Sequence, residues 1–368
     1  MKISKSFPTN FVICIALAIT ATSCKIGRFA YYNFANITDH EIFPARTAKA
    51  DSVKFYYAET TTPKAPKAAT LDGKEINFGE YLAQNETVAF LIIRNDTIQY
   101  ENYFNGYDRE SVVASFSMAK SVTSILIGCA LEDGYIKSVD EPIINYIPEL
   151  KDEEVGKVTI EELLNMRSGI KFNESYINPF GDAATYYYGT NLRKAVYRRK
   201  LNVQPGSSFS YSSGDTQILG LVLERALKGK TVTAYLEEKL WKPLGMEYDA
   251  TWSLDKEKDG LEKTFCCINA RARDFSKLGR LYLNKGNWNG KQIVSKEWVE
   301  ASTTPDPNNV NYYKYQWWLN SDGSYMMQGI LGQYVYVNPA KELIIVRMGE
   351  DWGKADWEAI FASLAQKY

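Results

Sequence analysis

Histidine is almost missing from this chain: His40 is the only one among 368 residues. A Ser-His-Asp triad would have to be built on it. No Gly-x-Ser-x-Gly turn offers a nucleophile elbow either. His40, between Asp39 and Glu41, therefore reads as a surface or packing residue. Cysteine is also scarce. Cys14 and Cys24 lie at the very start, which leaves Cys129, Cys266 and Cys267. That number is odd, sequence neighbours such as Cys266 and Cys267 rarely bridge, and no Cys or His pair has zinc spacing. All three are expected as small buried apolar residues, with no metal and no cofactor. Charge of one sign is lacking: 43 basic and 44 acidic residues give −1, with no block of like charge. A basic footprint for phosphates is absent, which excludes nucleic acid as a partner.

Long hydrophobic runs are absent too. The apolar stretch from Phe11 to Thr22 is too short to span a bilayer. Lys2 and Lys5 precede it, and the small residues Ala21, Thr22 and Ser23 follow. Residues 1–23 thus read as a secretory signal peptide. Cys24 then resembles a bacterial lipoprotein processing site, with Ala21 where a leucine is usual. Cys24 is expected to be acylated and to tether an exported protein to a bacterial membrane, periplasmic or on the cell surface. Residues 24–72, ending in a Pro- and Ala-rich stretch, read as a lead-in that wraps the domain or tethers it.

What is present is the composition of a globular body: 45% apolar and 24% charged residues, enough for a sizeable core without staples. The 26 Tyr and 8 Trp suit strand packing and a pocket rim. Val88–Ile93 and Thr97–Tyr103 read as a hairpin with an Asn95-Asp96 turn. Apolar residues at Val122, Ile125, Leu126 and Cys129 predict a helix over Met118–Glu132, closed by Gly134. Thr159 to Glu162 is a capping box. Further helices are predicted over Asp215–Leu227 and Asp274–Leu283. Strands follow over Tyr313–Leu319, Tyr325–Gln328, Gln333–Val337 and Leu343–Met348, then a terminal amphipathic helix with Trp357, Ile360, Phe361 and Leu364 on one face. Strands at both ends with helices between predict an α+β domain over 73–368. Its antiparallel sheet comes from 73–137 and 311–368, and an inserted all-helical lobe spans 138–310.

The chemistry centres on Ser117-Met118-Ala119-Lys120, where the hairpin feeds the first long helix. Ser117 and Lys120 stand one turn apart on one face. The helix N-terminus favours an oxyanion there and disfavours a second positive charge. Partial burial would further ease loss of the lysine proton, leaving a base for the serine hydroxyl.

A second segment, Phe209-Ser210-Tyr211-Ser212-Ser213-Gly214, precedes a helix. Together with Ser-Met-Ala-Lys at 117–120, Leu-Leu-Asn-Met-Arg-Ser-Gly at 163–169, Leu-Gly-Arg-Leu-Tyr-Leu at 278–283 and Gly-Ile-Leu-Gly-Gln at 329–333, it resembles the serine β-lactamase and penicillin-binding-protein superfamily. Within that superfamily the likeness is to class C-like esterases and 6-aminohexanoate-dimer hydrolases, over roughly residues 85–365. The resemblance implies a β-lactamase/transpeptidase-like fold. It implies Ser117 as nucleophile, Lys120 as its partner and Tyr211 as the tyrosine exchanging protons with Ser117 and the leaving group. A Lys120–Tyr211 pair sharing one proton is expected. The N–H groups of Ser117 and Ile330 would form the oxyanion hole. The usual Lys-Thr-Gly is replaced by Met327-Gln328-Gly329, and Ser213 replaces the amide of Tyr-x-Asn. Both changes point away from β-lactams and D,D-peptides and towards esters or small amides. Ser213, Gln328, Gly329, Gln333 and Tyr187 are expected to contact a small-molecule substrate, with Tyr186, Tyr188 and Trp317 nearby. The alternatives are a D,D-peptidase or β-lactamase-type cell-wall enzyme and a non-catalytic sensor.

Overall fold

A computed structural model describes residues 25–32, 34–62, 66, 68–71, 74–307 and 309–368. Residues 1–24, which carry the expected signal peptide and Cys24, lie outside the described residues. An eight-stranded sheet organises the molecule. Its strands are β1 (Ala58–Glu59), β2 (Thr87–Arg94), β3 (Thr97–Tyr103), β4 (Tyr313–Lys314), β5 (Trp317–Leu319), β6 (Tyr325–Gln328), β7 (Tyr334–Asn338) and β8 (Leu343–Gly349). The order is β4-β5-β6-β7-β8-β2-β3-β1. β8 and β2 pair antiparallel with Ile345 opposite Ile92, so the two ends of the chain meet at the centre of the sheet.

Side chains alternate along these strands with period two. Phe90, Ile92, Tyr334, Tyr336 and Ile345 face one layer, where the terminal helix (Trp357–Lys367) covers them with Trp357 and Phe361. Leu91, Ile93, Val335, Val337, Ile344 and Val346 face the main core. The β2–β3 turn puts Asn95 and Asp96 at φ 48° and 54°, the left-handed pair that matches strand twist in a two-residue hairpin.

In chain order the helices that position the site are α1 (Lys25–Tyr32), α2 (Met118–Glu132), α3 (Asp182–Tyr188), α4 (Ser213–Ala226) and α5 (Ala272–Leu283). Every residue of α2 from Met118 to Ala130 is buried. An all-round apolar helix belongs inside a protein, and α2 lies between the sheet and the helical lobe, packed on α4 and β6.

Two expectations about layout change. α5, placed in the helical lobe by its sequence position, lies on the main-core face of the sheet against β7 and β8. Gly279 permits this: a Cβ there would come within 2.7 Å of Val335. The 138–310 region also contains strands. Ala250–Ser253 and Ile268–Ala270 join Val113–Ala114 in a second, four-stranded sheet. The lead-in is woven into the body, since Ala45–Ala48 pairs with Ala250–Ser253 and β1 pairs with β3.

The run Tyr313–Leu319, read as one strand, is a hairpin. Tyr315 and Gln316 have φ of 41° and 68°, and the chain reverses there. Gln316 holds the reversal: its amide donates to the Leu163 and Leu164 carbonyls and accepts from Thr216 Oγ1. No helix among the described residues is long and apolar enough to cross a membrane.

Candidate active site

The turn from Val113–Ala114 into α2 presents Ser117. Phe116 takes φ 44°, a left-handed conformation that costs a non-glycine residue about 1–3 kcal/mol. The surrounding bonds enforce it: Ser115 donates its N–H to the Ile268 carbonyl, and the Ser115 hydroxyl accepts from Ile268 N–H. Ser117 is 8% exposed. Its side chain makes no capping bond to the helix, which leaves the hydroxyl for other partners.

Those partners are Lys120 and Tyr211. Lys120 Nζ donates to Ser117 Oγ at 2.9 Å, to Ser213 Oγ at 3.1 Å and to the Phe265 carbonyl at 2.9 Å. The amine is 1% exposed. Burial pulls its pKa down to about 8, against the Glu174 carboxylate, which pulls it up. The Tyr211 hydroxyl is hydrogen-bonded to Ser117, and its ring centroid lies 5.1 Å from Lys120 Nζ. Tyr211 stacks on Trp318 at 5.7 Å and meets Tyr313 edge-on.

The expected shared proton on a Lys–Tyr pair is corrected by the surroundings. Burial first, and the Glu174 charge second, raise the Tyr211 phenol above its ordinary range, and the bond to Ser117 only partly offsets them. The phenol is shifted up while the lysine is shifted down to about 8, so the two are driven apart and not matched to share one proton. The two groups are set apart as acid and base.

Glu174 is the member that sequence reasoning missed. It accepts from Ser213 Oγ at 2.6 Å, Ser213 N–H at 2.7 Å and the Tyr176 hydroxyl at 2.6 Å. Ser213, expected to touch substrate, is 2% exposed, lines the larger cavity beside Ser117 and links Glu174 to Lys120.

The opposite wall is the turn after β6. Among the described residues, neither the Ser117 nor the Ile330 N–H has a backbone acceptor, so both are available to an oxyanion. Gly329 directly precedes Ile330 and packs against the turn that leads to Ser117. A Cβ there would meet Gln333 Oε1 at 2.6 Å and the Ser115 carbonyl at 2.8 Å, so the close approach requires glycine. Gln333, expected to contact substrate, is fully buried. Its amide accepts from Leu331 N–H at 3.1 Å and donates to the Gly349 carbonyl at 2.8 Å. It holds the 329–333 turn and does not reach the cleft. Buried Arg347 holds the same turn through the Gly332 carbonyl at 2.6 Å.

Gln328 and Gly329 line a 120 Å³ pocket with Ser117, Tyr211, Trp318 and Trp352. Trp317, expected near substrate, is fully buried and stacked on Tyr282 at 4.0 Å. The hairpin at Tyr315–Gln316 sets which tryptophan faces out, and it is Trp318. On the other side of Ser117 is a 220 Å³ cavity. The Tyr187 ring lines it, but its hydroxyl donates to Asp39 Oδ2 at 2.6 Å and is not free for a ligand. Tyr188 also lines it, and Tyr186 is buried behind.

Cys266 and Cys267 are bonded to each other, contrary to expectation. The tight turn from Lys263 to Ile268, with Cys267 at φ 72°, brings the two adjacent sulfurs together. The preceding residue, Phe265, supplies the carbonyl that Lys120 donates to. Cys129 is free and buried. His40, the one histidine, lines neither cavity.

A hydroxyl bonded to a buried amine and a buried phenol, with two nearby N–H groups that have no backbone acceptor among the described residues, is suited to acyl transfer. Comparison with known proteins agrees. The family model described as Beta-lactamase matches residues 77–365. The 6-aminohexanoate-dimer hydrolase of Paenarthrobacter ureafaciens is 26% identical over 308 residues, covering 75% of each chain. A solved Bacillus anthracis structure, proposed to be a 6-aminohexanoate-dimer hydrolase, superposes with a TM-score of 0.78 at 25% identity. It covers 90% of this chain and 93% of that one. A family VIII carboxylesterase shares the fold with a TM-score of 0.61 at 15% identity, covering 79% and 95%. This chain belongs to the Beta-lactamase family and is a serine hydrolase of the β-lactamase and penicillin-binding-protein kind.

Proposed function

We propose that this protein hydrolyses an ester or small amide through an acyl-enzyme on Ser117. The observation that carries this reading is the single serine hydroxyl bonded at once to an amine of lowered pKa and to a phenol of raised pKa. Lys120 takes the Ser117 proton as Oγ attacks the carbonyl carbon. The N–H groups of Ser117 and Ile330 hold the resulting oxyanion. Tyr211 gives its proton to the departing alcohol or amine as the carbonyl re-forms, and Lys120 returns a proton to Tyr211. Water then repeats the addition on the acyl-enzyme and releases the acid.

Ester or small-amide substrates are favoured over β-lactams and cell-wall peptides for two reasons. Among the described residues, no lysine or arginine lines either pocket beside Ser117, which leaves a substrate carboxylate without an anchor there. In addition, the Ile330 carbonyl, which faces the cleft beside the oxyanion hole, is taken by the Trp352 indole N–H. An extended peptide needs such carbonyls for strand-like pairing. The test is turnover of short p-nitrophenyl esters against nitrocefin, with a fluorophosphonate adduct mapped by mass spectrometry. We expect ester turnover, an adduct on Ser117, and nitrocefin turnover at least about 10²-fold lower in kcat/KM, the scale of one lost charge-assisted contact. Efficient nitrocefin hydrolysis would defeat the substrate assignment.

The same reading places the protein outside the cytoplasm, acylated at Cys24. Support comes from Lys2, Lys5, the Phe11–Thr22 apolar run and the small residues before Cys24. Cells fed an alkyne-tagged fatty acid should label the wild-type protein and not Cys24→Ser. Labelling that survives this substitution counts against the anchor.

A further inference from the structure

The 220 Å³ cavity beside Ser117 is walled in part by the segment that immediately follows Cys24. Helix α1 lies across α3: Lys25 Nζ donates to Thr185 Oγ1 at 2.7 Å, and the Phe29 ring meets Tyr188 edge-on at 5.6 Å. Phe34 packs edge-on against Phe29 at 6.4 Å and stands half-exposed at the mouth. Phe116, Phe265 and Tyr187 continue the lining, and among the described residues no charged side chain contributes to it.

The charges behind the wall are all engaged. Asp39 accepts from the Tyr187 hydroxyl and from Asn36 N–H. Lys263 donates to the Tyr187 carbonyl and sits 3.8 Å from the Phe43 ring centroid. Glu174 is held by Ser213 and Tyr176. A substrate group entering this cavity meets hydrocarbon and aromatic rings, apart from the Ser117 hydroxyl and the Tyr176 and Ser213 hydroxyls already bonded to Glu174. The smaller pocket, by contrast, contains Tyr211, the proton donor to the leaving group, so the leaving group belongs there and the acyl group in the larger cavity.

We propose that Phe29 and Phe34 are specificity-determining residues, and that the N-terminal segment completes a subsite for an uncharged hydrocarbon acyl group. This rests on the acyl-enzyme reading above. An apolar cavity of about 150 Å³ accepts benzene, so this one takes an acyl group of roughly six carbons or an arylacyl group. Each methylene buried multiplies kcat/KM by about four-fold at most. An ammonium at the far end of the acyl chain would be buried with no carboxylate in the lining to pair with and is rejected. The preference therefore departs from the 6-aminohexanoyl group named for the relatives.

The experiment uses the full chain and p-nitrophenyl acetate, hexanoate and 6-aminohexanoate. Hexanoate should exceed acetate by at least about tenfold in kcat/KM, and exceed 6-aminohexanoate by at least as much. The Phe29→Ala/Phe34→Ala double variant should lower the hexanoate-to-acetate ratio by about tenfold or more. Phe29→Trp, which fills the cavity instead of opening it, should also lower that ratio, and it reports even if the alanine variant fails to fold. Ser117-dependent turnover with no chain-length preference, with a preference for 6-aminohexanoate, or with a ratio unmoved by both variants overturns the inference alone. Absence of any Ser117-dependent turnover overturns the acyl-enzyme reading and this inference with it.

Discussion

Ser117→Ala should lower kcat/KM for p-nitrophenyl esters by at least about 10⁴-fold and abolish fluorophosphonate labelling, while the protein stays folded. The loss is large because the substitution removes the only atom that both partners address. Lys120 then has no proton to accept and Tyr211 no hydroxyl to bond. Binding and the two N–H donors remain, but stabilising an oxyanion does little when nothing near it attacks. Stability should change little. Lys120 keeps Ser213 Oγ and the Phe265 carbonyl, so the buried amine retains two acceptors. The turn at Phe116 is held by the Ser115–Ile268 bonds and not by the serine side chain. Sites that hold strained, polar groups often gain stability when simplified, so the melting temperature should be equal or higher. Activity within tenfold of wild type, or an adduct on a different serine, would sink the assignment. A melting temperature lower by more than about 10 °C would show instead that Ser117 has a structural role.

Local signals carried much of the architecture. The 3.6-residue pattern of Val122, Ile125, Leu126 and Cys129 marked α2 within its observed bounds, and Asn95-Asp96 marked the hairpin turn. Thr159 and Glu162 form the reciprocal capping box that their spacing implies. Ser117 and Lys120 were legible as a pair because they lie on one helical turn, whereas Tyr211 was reached only through the resemblance of its motif to the family. What escaped depends on distant contacts. The reversal at Tyr315–Gln316 has no glycine, proline or asparagine to announce it. Its stability comes from the Gln316 amide bonding Leu163, Leu164 and Thr216, more than 90 residues away. One such turn exchanged the roles of Trp317 and Trp318. Glu174 sits in a loop with no periodic signal, and only the fold brings it to Ser213. Similarly, nothing local shows that Phe29 in α1 and Phe34 just beyond it border a cavity whose other walls begin at Phe116. Gln333 was misread for a different reason: a side chain that shapes a turn looks the same in sequence as one that touches a ligand.

Lys120→Ala should lower kcat/KM by roughly 10²–10⁴-fold, the span typical of a lost general base. The wild-type pH profile should identify the base as well. Only the neutral amine accepts the Ser117 proton. Activity should therefore rise with pH as Lys120 loses its proton, with a midpoint near its pKa of about 8, and level off above it. That limb should be missing from whatever activity Lys120→Ala retains. Glu174 supplies an independent handle on the same group. Its carboxylate raises the Lys120 pKa, so Glu174→Gln should move the rising limb to lower pH. It raises the Tyr211 pKa as well, so any falling limb at high pH should also move down. The glutamine keeps one oxygen to accept from the Ser213 and Tyr176 hydroxyls, while its NH2 replaces the oxygen that accepts from the Ser213 N–H. A purely structural lysine would give the large loss in Lys120→Ala without any displacement of the profile in Glu174→Gln. Near wild-type rates in Lys120→Ala would remove the lysine from the mechanism. A wild-type profile flat from about pH 6 to 10 would do the same, because burial of an amine beside a nucleophile matters here only through the proton it releases.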